Sequence, residues 1–213
     1  QAVLKRYLDE YMDRMVKACE VVEKAHMELL PSPFLSAVID DCMEKGMDVT
    51  AGGARYNLSG IQMIQVANLA DSLAALKKLV FDEPRVSREE ILEAMRTNFE
   101  GKEVLRQIFL NRVPKYGNDI CEIDEFARDV AYTYTKPLEQ YRNPRGGRFQ
   151  AGLYPVSANV PLGAQTGATP DGRLANTPIA DGVGPVAGRD VHGPTATANS
   201  VSHLDHFIAS NEI

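Results

Sequence analysis

Asn143-Pro144-Arg145-Gly146-Gly147 and Gly167-Ala168-Thr169-Pro170-Asp171-Gly172-Arg173 mark the point where the chain changes texture. Ten of the sixteen glycines and six of the twelve prolines lie between Asn143 and Gly193. Both residue types interrupt regular backbone, so this stretch reads as loops and short strands. Thr169-Pro170-Asp171-Gly172 is a tight-turn signal, because proline presets φ at the second position and glycine tolerates the turn's far end. Phe149 to Leu162 is the best strand candidate, with Val156 and Val160 favouring extended backbone. Pro155 and Pro161 forbid a regular central ladder at those points. Pro194 opens a last helix, expected to run to about His206.

Before Asn143 the pattern is helical. Leu4, Leu8, Met12, Met15 and Cys19 recur at three- and four-residue spacing with charges between them, which makes an amphipathic helix. Ser32-Pro33 is a cap followed by proline at the first helical position, and Gly46 is the expected stop of that second helix. Ile61 to Phe81 is a more apolar helix and so a more deeply buried one. Ser87-Arg88-Glu89-Glu90 spells a capping box, opening a helix to about Phe99. Asn118 and Asp119 begin another, through Val130 to about Tyr141. With no internal repeat or linker, the chain reads as a single unit over 1–213. It is helical over 1–142, rich in strands and loops over 143–193, and closed by a helix over 194–207. Gln1 opens directly into a helical pattern and Ile213 stops in mid-phrase, as in an interior piece of a longer chain.

The 213 residues are 44% apolar with a formal charge of −6, which describes a globular protein and not a disordered one. Basic residues are scattered, which disfavours nucleic acid as a partner. No apolar run approaches the length of a membrane span. The cysteines Cys19, Cys42 and Cys121 are odd in number and widely spaced, as expected of reduced cytoplasmic thiols. Cys19 and Cys42 fall where helices place core residues. Cys121 stands among Asp119, Glu122 and Asp124, which oppose thiolate formation.

Few residues declare their chemistry unaided. Gly182, Gly184 and Gly188 have the wrong spacing for a dinucleotide fingerprint. His203 and His206, with His192 upstream, could suggest a metal pair. No acidic third ligand shares their helix face at a convincing spacing, so cationic side chains at a helix C-terminus are the preferred reading. Arg55-Tyr56-Asn57 after Ala51-Gly52-Gly53-Ala54 could line a pocket or pin a loop, and pinning is preferred.

The ordered phrases go further. Gly52-Gly53-Ala54-Arg55-Tyr56-Asn57, Ala70-Asp71-Ser72-Leu73 and Pro114-Lys115-Tyr116-Gly117-Asn118-Asp119 resemble the glycyl radical enzymes, the pyruvate formate-lyase-like family. So do the two phrases quoted at the outset, Ala180-Asp181-Gly182 and Gly193-Pro194-Thr195-Ala196, in the family's order from about Pro31 onward. Gly152-Leu153-Tyr154-Pro155 and the run from Asp205 to Asn211 look most like the B12-independent glycerol and propanediol dehydratases. The resemblance implies an α/β fold, part of the family's ten-stranded barrel, mostly helical in its first two thirds with strands and loops after about 145.

It also implies anaerobic radical chemistry with no B12. A partner activating enzyme, using S-adenosylmethionine and an iron–sulfur cluster, places a radical on a glycine, from which it passes to a cysteine. The thiyl removes a hydrogen atom from a 1,2-diol, a neighbouring glutamate takes the hydroxyl proton, and loss of water leaves an aldehyde. The family suggests a cytoplasmic homodimer.

The Gly-Cys-Val-Glu phrase that carries the thiyl is absent here and expected before Gln1. The Arg-Val-Ala-Gly-Tyr phrase of the radical glycine is expected after Ile213. Val186-Ala187-Gly188 is flanked by Pro185 and Arg189 and does not match it. No catalytic residue is therefore assigned within this chain, and the chain by itself is expected to be inactive. What it can supply is pocket wall. The segment Pro155 to Leu162 resembles the family strand that runs past the substrate. Alternation along such a strand would point Ser157, Asn159 and Pro161 to one side, although Ser157 and Asn159 could equally satisfy neighbouring backbone groups. The diols implied are glycerol and propane-1,2-diol. In the glycerol enzyme the position matching Pro161 resembles a tyrosine, so proline here disfavours glycerol and favours a propanediol or another small hydroxylated or amine-bearing substrate. The alternatives are another radical C–heteroatom lyase such as a choline trimethylamine-lyase, a formate C-acetyltransferase-like enzyme, and a non-catalytic interaction module.

Overall fold

The structure, a computed structural model, describes residues 2–207 and 209–211. Gln1, Glu212, Ile213 and the Ile208 position of the last family phrase lie outside the described residues. In chain order the elements are helices α1 (Ala2–Leu29), α2 (Pro33–Val38) and α3 (Cys42–Lys45), strand β1 (Ser59–Gln62) and helix α4 (Val66–Leu76). Helices α5 (Arg88–Arg96), α6 (Glu103–Asn111) and α7 (Cys121–Leu138) follow, then strand β2 (Phe149–Gly152). Helices α8 (Asn159–Gln165) and α9 (Pro194–Ser202) and strand β3 (Ala209–Asn211) complete the order. The chain packs as two compact units, Gln1–Ile61 with Thr133–Gly152, and Gln62–Tyr132 with Leu153–Ile213.

In the first unit α1 buries Met12 and Val16, so the apolar stripe passes through Val16, and Met15 is exposed. The same helix leaves Tyr7, Tyr11, Val21, Val22 and Leu29 in solvent. The expected second helix is broken in two. Asp41 adopts φ +75°, and Ile39 before it is extended. The break follows from an anchor at Asp48, whose Oδ2 accepts from the Ser32 amide (2.9 Å) and the Ser36 hydroxyl (2.8 Å). Its Oδ1 accepts from the amide and hydroxyl of Thr50 at 2.9 and 2.7 Å. These bonds, Thr50's foremost, hold the Asp48 carboxyl down to about 2. Gly46 does stop α3, at φ +60°.

The glycine phrases pin backbone, as preferred from sequence. Asn57 Nδ2 donates to the carbonyls of Gly52 (3.1 Å) and Ala54 (2.9 Å), while Tyr56 is exposed. Asn143 is buried and binds its own turn. Its Oδ1 accepts from the amides of Arg145 (3.1 Å) and Gly147 (2.8 Å), and its Nδ2 donates to Asn57 O (2.6 Å) and Ser59 Oγ (2.8 Å). That turn sets β2 beside β1, with the Ser59 amide donating to Arg148 O at 3.1 Å.

In the second unit α4 is buried along most of its length, as its composition requires, and continues into a π-helical turn at Lys77–Asp82. The capping box at Ser87 and Glu90 forms in full. Its helix stops at Arg96, short of Phe99, because Asn98 and Phe99 both take left-handed backbone. Helix α6 was not anticipated from the sequence. No helix among the described residues is long and apolar enough to cross a membrane.

A Cβ at Gly147 would lie 1.5 Å from the Asn57 carbonyl oxygen, whereas one at Gly146, which has φ +80°, would meet nothing. Gly146→Ala should therefore cost about 1 kcal/mol from backbone strain. Gly147→Ala should cost clearly more, read as the larger fall in melting temperature of the full-length protein. Equal falls would contradict this packing.

Candidate functional site

The segment expected to form pocket wall is not a strand beyond Gly152. Leu153 is buried, Val156 turns the chain with φ +57°, and α8 starts at Asn159. A β-branched residue in the left-handed region is strained, and such strain persists only where surrounding contacts impose it. Helix α8 is imposed at its far end. Gly163 is so close to the loop that a Cβ would fall 2.4 Å from Thr177 O, and Asn159 O accepts from the Ile179 amide at 3.2 Å. The alternation that grouped Ser157, Asn159 and Pro161 therefore does not apply. Ser157 and Pro161 are exposed and Asn159 is half-buried, on a turn and the helix that follows it.

What holds this region is a buried charge cluster that gathers four of the sequence phrases. From α4, Asn68 and Asp71 sit one turn apart and face the same way, both almost fully buried. Arg189 Nη1 donates to Asp171 Oδ2 at 2.7 Å and to Asp71 Oδ2 at 3.0 Å, so one guanidinium nitrogen bridges two buried carboxylates. Asn68 Nδ2 donates to Asp171 Oδ2 at 2.9 Å, and Asn68 Oδ1 accepts from the Ala180 amide at 2.7 Å. Thr169 also donates to Asp171. The Tyr116 amide donates to Asp71 Oδ1 at 2.8 Å, while Tyr116 Oη donates to Val183 O at 2.9 Å. Asn118 Nδ2 closes the ring on Arg189 O at 2.8 Å.

The electrostatics sort the two acids. Burial pushes the Asp71 carboxyl up, and Lys115, the Tyr116 amide and Arg189 do not fully offset it. Burial acts on Asp171 too, but Arg189, Thr169 and Asn68 outweigh it and hold that carboxyl below its ordinary value. Lys115 is buried with its Nζ donating to Phe109 O at 2.7 Å, and burial lowers its pKa to about 8. Two carboxylates and two cations thus leave the cluster near neutral, which is what permits four charges to be buried together.

Beside the cluster lies a cleft of about 700 Å³, walled by Arg106, Leu110, Lys115, Arg173, Arg189 and His192 among others. Its ionisable walls are basic. Arg106 and Arg173 are nevertheless occupied, Arg106 Nε with Gly172 O (3.1 Å) and Arg173 with the carbonyls of Thr177 (2.6 Å), Thr166 (3.2 Å) and Gly167. The basic groups hold loop carbonyls, and the cleft contains no nucleophile paired with a base. Ser157, Asn159 and Pro161 do not line it. Of the two cysteines expected at core positions, Cys42 is buried and Cys19 only half-buried, with its pKa raised by burial and then by Glu23, while Cys121 is exposed against Glu125.

Sequence reasoning missed Arg189, noticing it only as a mismatch beside Gly188. Its sole signal was the pair of acids in Ala70-Asp71-Ser72 and Pro170-Asp171-Gly172, each expected to be exposed by type and each fully buried.

The family described as pyruvate formate lyase-like matches residues 1–163. The (2S)-3-sulfopropanediol dehydratase of Klebsiella oxytoca is 40% identical over 215 residues, which cover 99% of this chain and 26% of that protein. A solved structure from work on 1,2-propanediol dehydration in Roseburia inulinivorans superimposes with a TM-score of 0.93 at 52% identity, covering 98% of this chain and 27% of that one. The glycerol-bound B12-independent glycerol dehydratase from Clostridium butyricum gives 0.92 at 48%, covering 98% and 26%. The chain therefore spans about a quarter of the length of these relatives.

The buried lysine makes the cluster's pH response testable. A lysine with a folded pKa of about 8 holds fewer protons than its unfolded form between there and about 10.4, so stability should rise with pH across that window. Lys115→Met should flatten that rise in melting temperature. Arg189→Met, which strands two buried carboxylates, should cost about 3–5 kcal/mol at neutral pH. A Lys115→Met protein with an unchanged pH profile would show that Lys115 is not desolvated in this way.

Proposed function

The chain belongs to the pyruvate formate lyase-like family, and from that premise we propose that its parent protein is a glycyl radical lyase that dehydrates a small 1,2-diol to an aldehyde. The 52% identity over nearly the whole chain with the structure from 1,2-propanediol dehydration is the observation that most supports this reading. The net reaction would be propane-1,2-diol to propanal and water, with no external oxidant or reductant. The glycyl radical, carried by a residue outside this chain, would supply hydrogen-atom abstraction once installed by a radical S-adenosylmethionine activating enzyme. We also propose that the chain is an interior portion of one domain of a cytoplasmic homodimer. The exposed apolar residues of α1 support a larger whole and disfavour a free-standing interaction module.

Within that reaction this chain's part is positioning. Ser157 Oγ and Asn159 can donate to or accept from substrate hydroxyls, and Pro161 presents a surface with no donor. The charge cluster fixes the loops 166–173 and 177–183, and α8 packs against Thr177–Ile179, so Asn159 and Pro161 on α8 inherit their placement from buried charges. A site without a hydroxyl at Pro161 satisfies two diol oxygens and leaves the third of glycerol unpaired, which penalises glycerol.

The anaerobically activated full-length protein should show a glycyl radical signal and release propanal from propane-1,2-diol. Pro161→Tyr should shift the ratio of kcat/KM towards glycerol by about tenfold, the effect of one hydrogen bond. A clear radical signal with no aldehyde from any small diol would overturn the dehydratase reading. Cleavage of choline would instead favour a C–N lyase, and formate exchange with pyruvate an acyltransferase.

A further inference from the structure

Asp124, in the first turn of α7, is fully buried, and neither of its carboxylate oxygens has a hydrogen-bond partner. A carboxylate removed from water is costly unless something replaces the lost hydration. Two groups from elsewhere converge on it. Asp119 precedes α7 in the left-handed conformation, and His203 caps the C-terminus of α9. One ligand atom from each of Asp119, Asp124 and His203 lies within 4.8 Å of the others. The sequence reading looked for acids on the helix of His203 itself, whereas the fold brings them from residues some eighty positions earlier.

The surroundings hold this convergence in place. The Asp119 amide donates to the buried Ser200 Oγ at 2.9 Å, and Asn199 Nδ2 donates to Asp119 Oδ2 at 2.8 Å. Asp119 is thereby tied to α9. His192 and His206 are engaged elsewhere, with Nδ1 of the first on Asn118 O (2.9 Å) and Nε2 of the second on Val201 O (3.0 Å). His203 is therefore the histidine of this region that turns towards acids.

We propose that Asp119, Asp124 and His203 bind one divalent first-row cation of the zinc class, tying the start of α7 to the end of α9. Two carboxylates balance the cation's charge, and an imidazole with two oxygen donors suits zinc, with water completing the coordination. Asp119 is exposed, so an ion can enter from solvent, while Asp124 supplies the desolvated inner ligand.

The test is calorimetric titration of chelator-stripped full-length protein with zinc chloride, paired with thermal melts with and without metal. The proposal expects one zinc per chain beyond any taken up when these residues are replaced. It expects a melting temperature raised by several degrees at about 100-fold excess over Kd. Asp119→Asn, Asp124→Asn and His203→Lys should each weaken binding at least about tenfold. Should Asp124→Asn fail to fold, the other two variants, at less buried positions, decide. His203→Lys carries the sharpest contrast, because it places a positive charge beside Asp124 while removing the metal ligand. If wild type binds no zinc, or if His203→Lys and Asp119→Asn bind it as wild type does, the proposal is overturned.

Discussion

One guanidinium nitrogen, Nη1 of Arg189, lies between the carboxylates of Asp71 and Asp171, and the second unit is arranged around it. The constraint is electrostatic before it is geometric. Two carboxylates that are fully buried can coexist only if cations of matching charge are buried with them, and Arg189 and Lys115 meet that requirement. Because Asp71 stands on a helix while Asp171 and Arg189 stand on loops, satisfying the charges also fixes where those loops run. Asn68 and Tyr116 then use their remaining donors and acceptors on Ala180 and Val183, which extends the order to the following loop.

This arrangement explains why a stretch so rich in glycine and proline is ordered. Gly117 and Gly172 both take positive φ where their missing side chains would strike Pro185 and Leu110, so close approach and left-handed backbone are needed at the same positions. Arg173 spans three carbonyls in the loops 166–177. Helix α8 is then carried on that loop through Gly163. The part of the chain proposed to face substrate is therefore packed against loops that buried charges hold.

Much of this was legible in the sequence, and the rest was hidden for physical reasons. Signals that act over a few residues were readable: the Ser87–Glu90 box, the turn at Thr169–Gly172, the stop at Gly46 and the pinning role of Asn57 all depend on near neighbours. Tertiary anchors were not. Asp48 splits a predicted helix by drawing in Ser32, Ser36 and Thr50, and no local propensity reports that. Val156, Val160 and two prolines argued for an irregular strand, yet contact with Thr177 and Pro178 selects a helix. The charge cluster joins positions 71, 171 and 189, whose separations carry no periodic signal. Family phrases marked Asp71 and Asp171 as a set without saying what they do, and Arg189 was passed over because it was judged as a failed copy of another motif.

The most direct test of the account is a crystal structure of the full-length protein with propane-1,2-diol bound. The account predicts a diol hydroxyl within hydrogen-bonding distance of Asn159 or Ser157, Pro161 against its carbon skeleton, and Arg189 still bridging Asp71 and Asp171. A diol bound well away from the Val156–Leu162 segment would contradict the claim that this chain supplies wall to the substrate pocket.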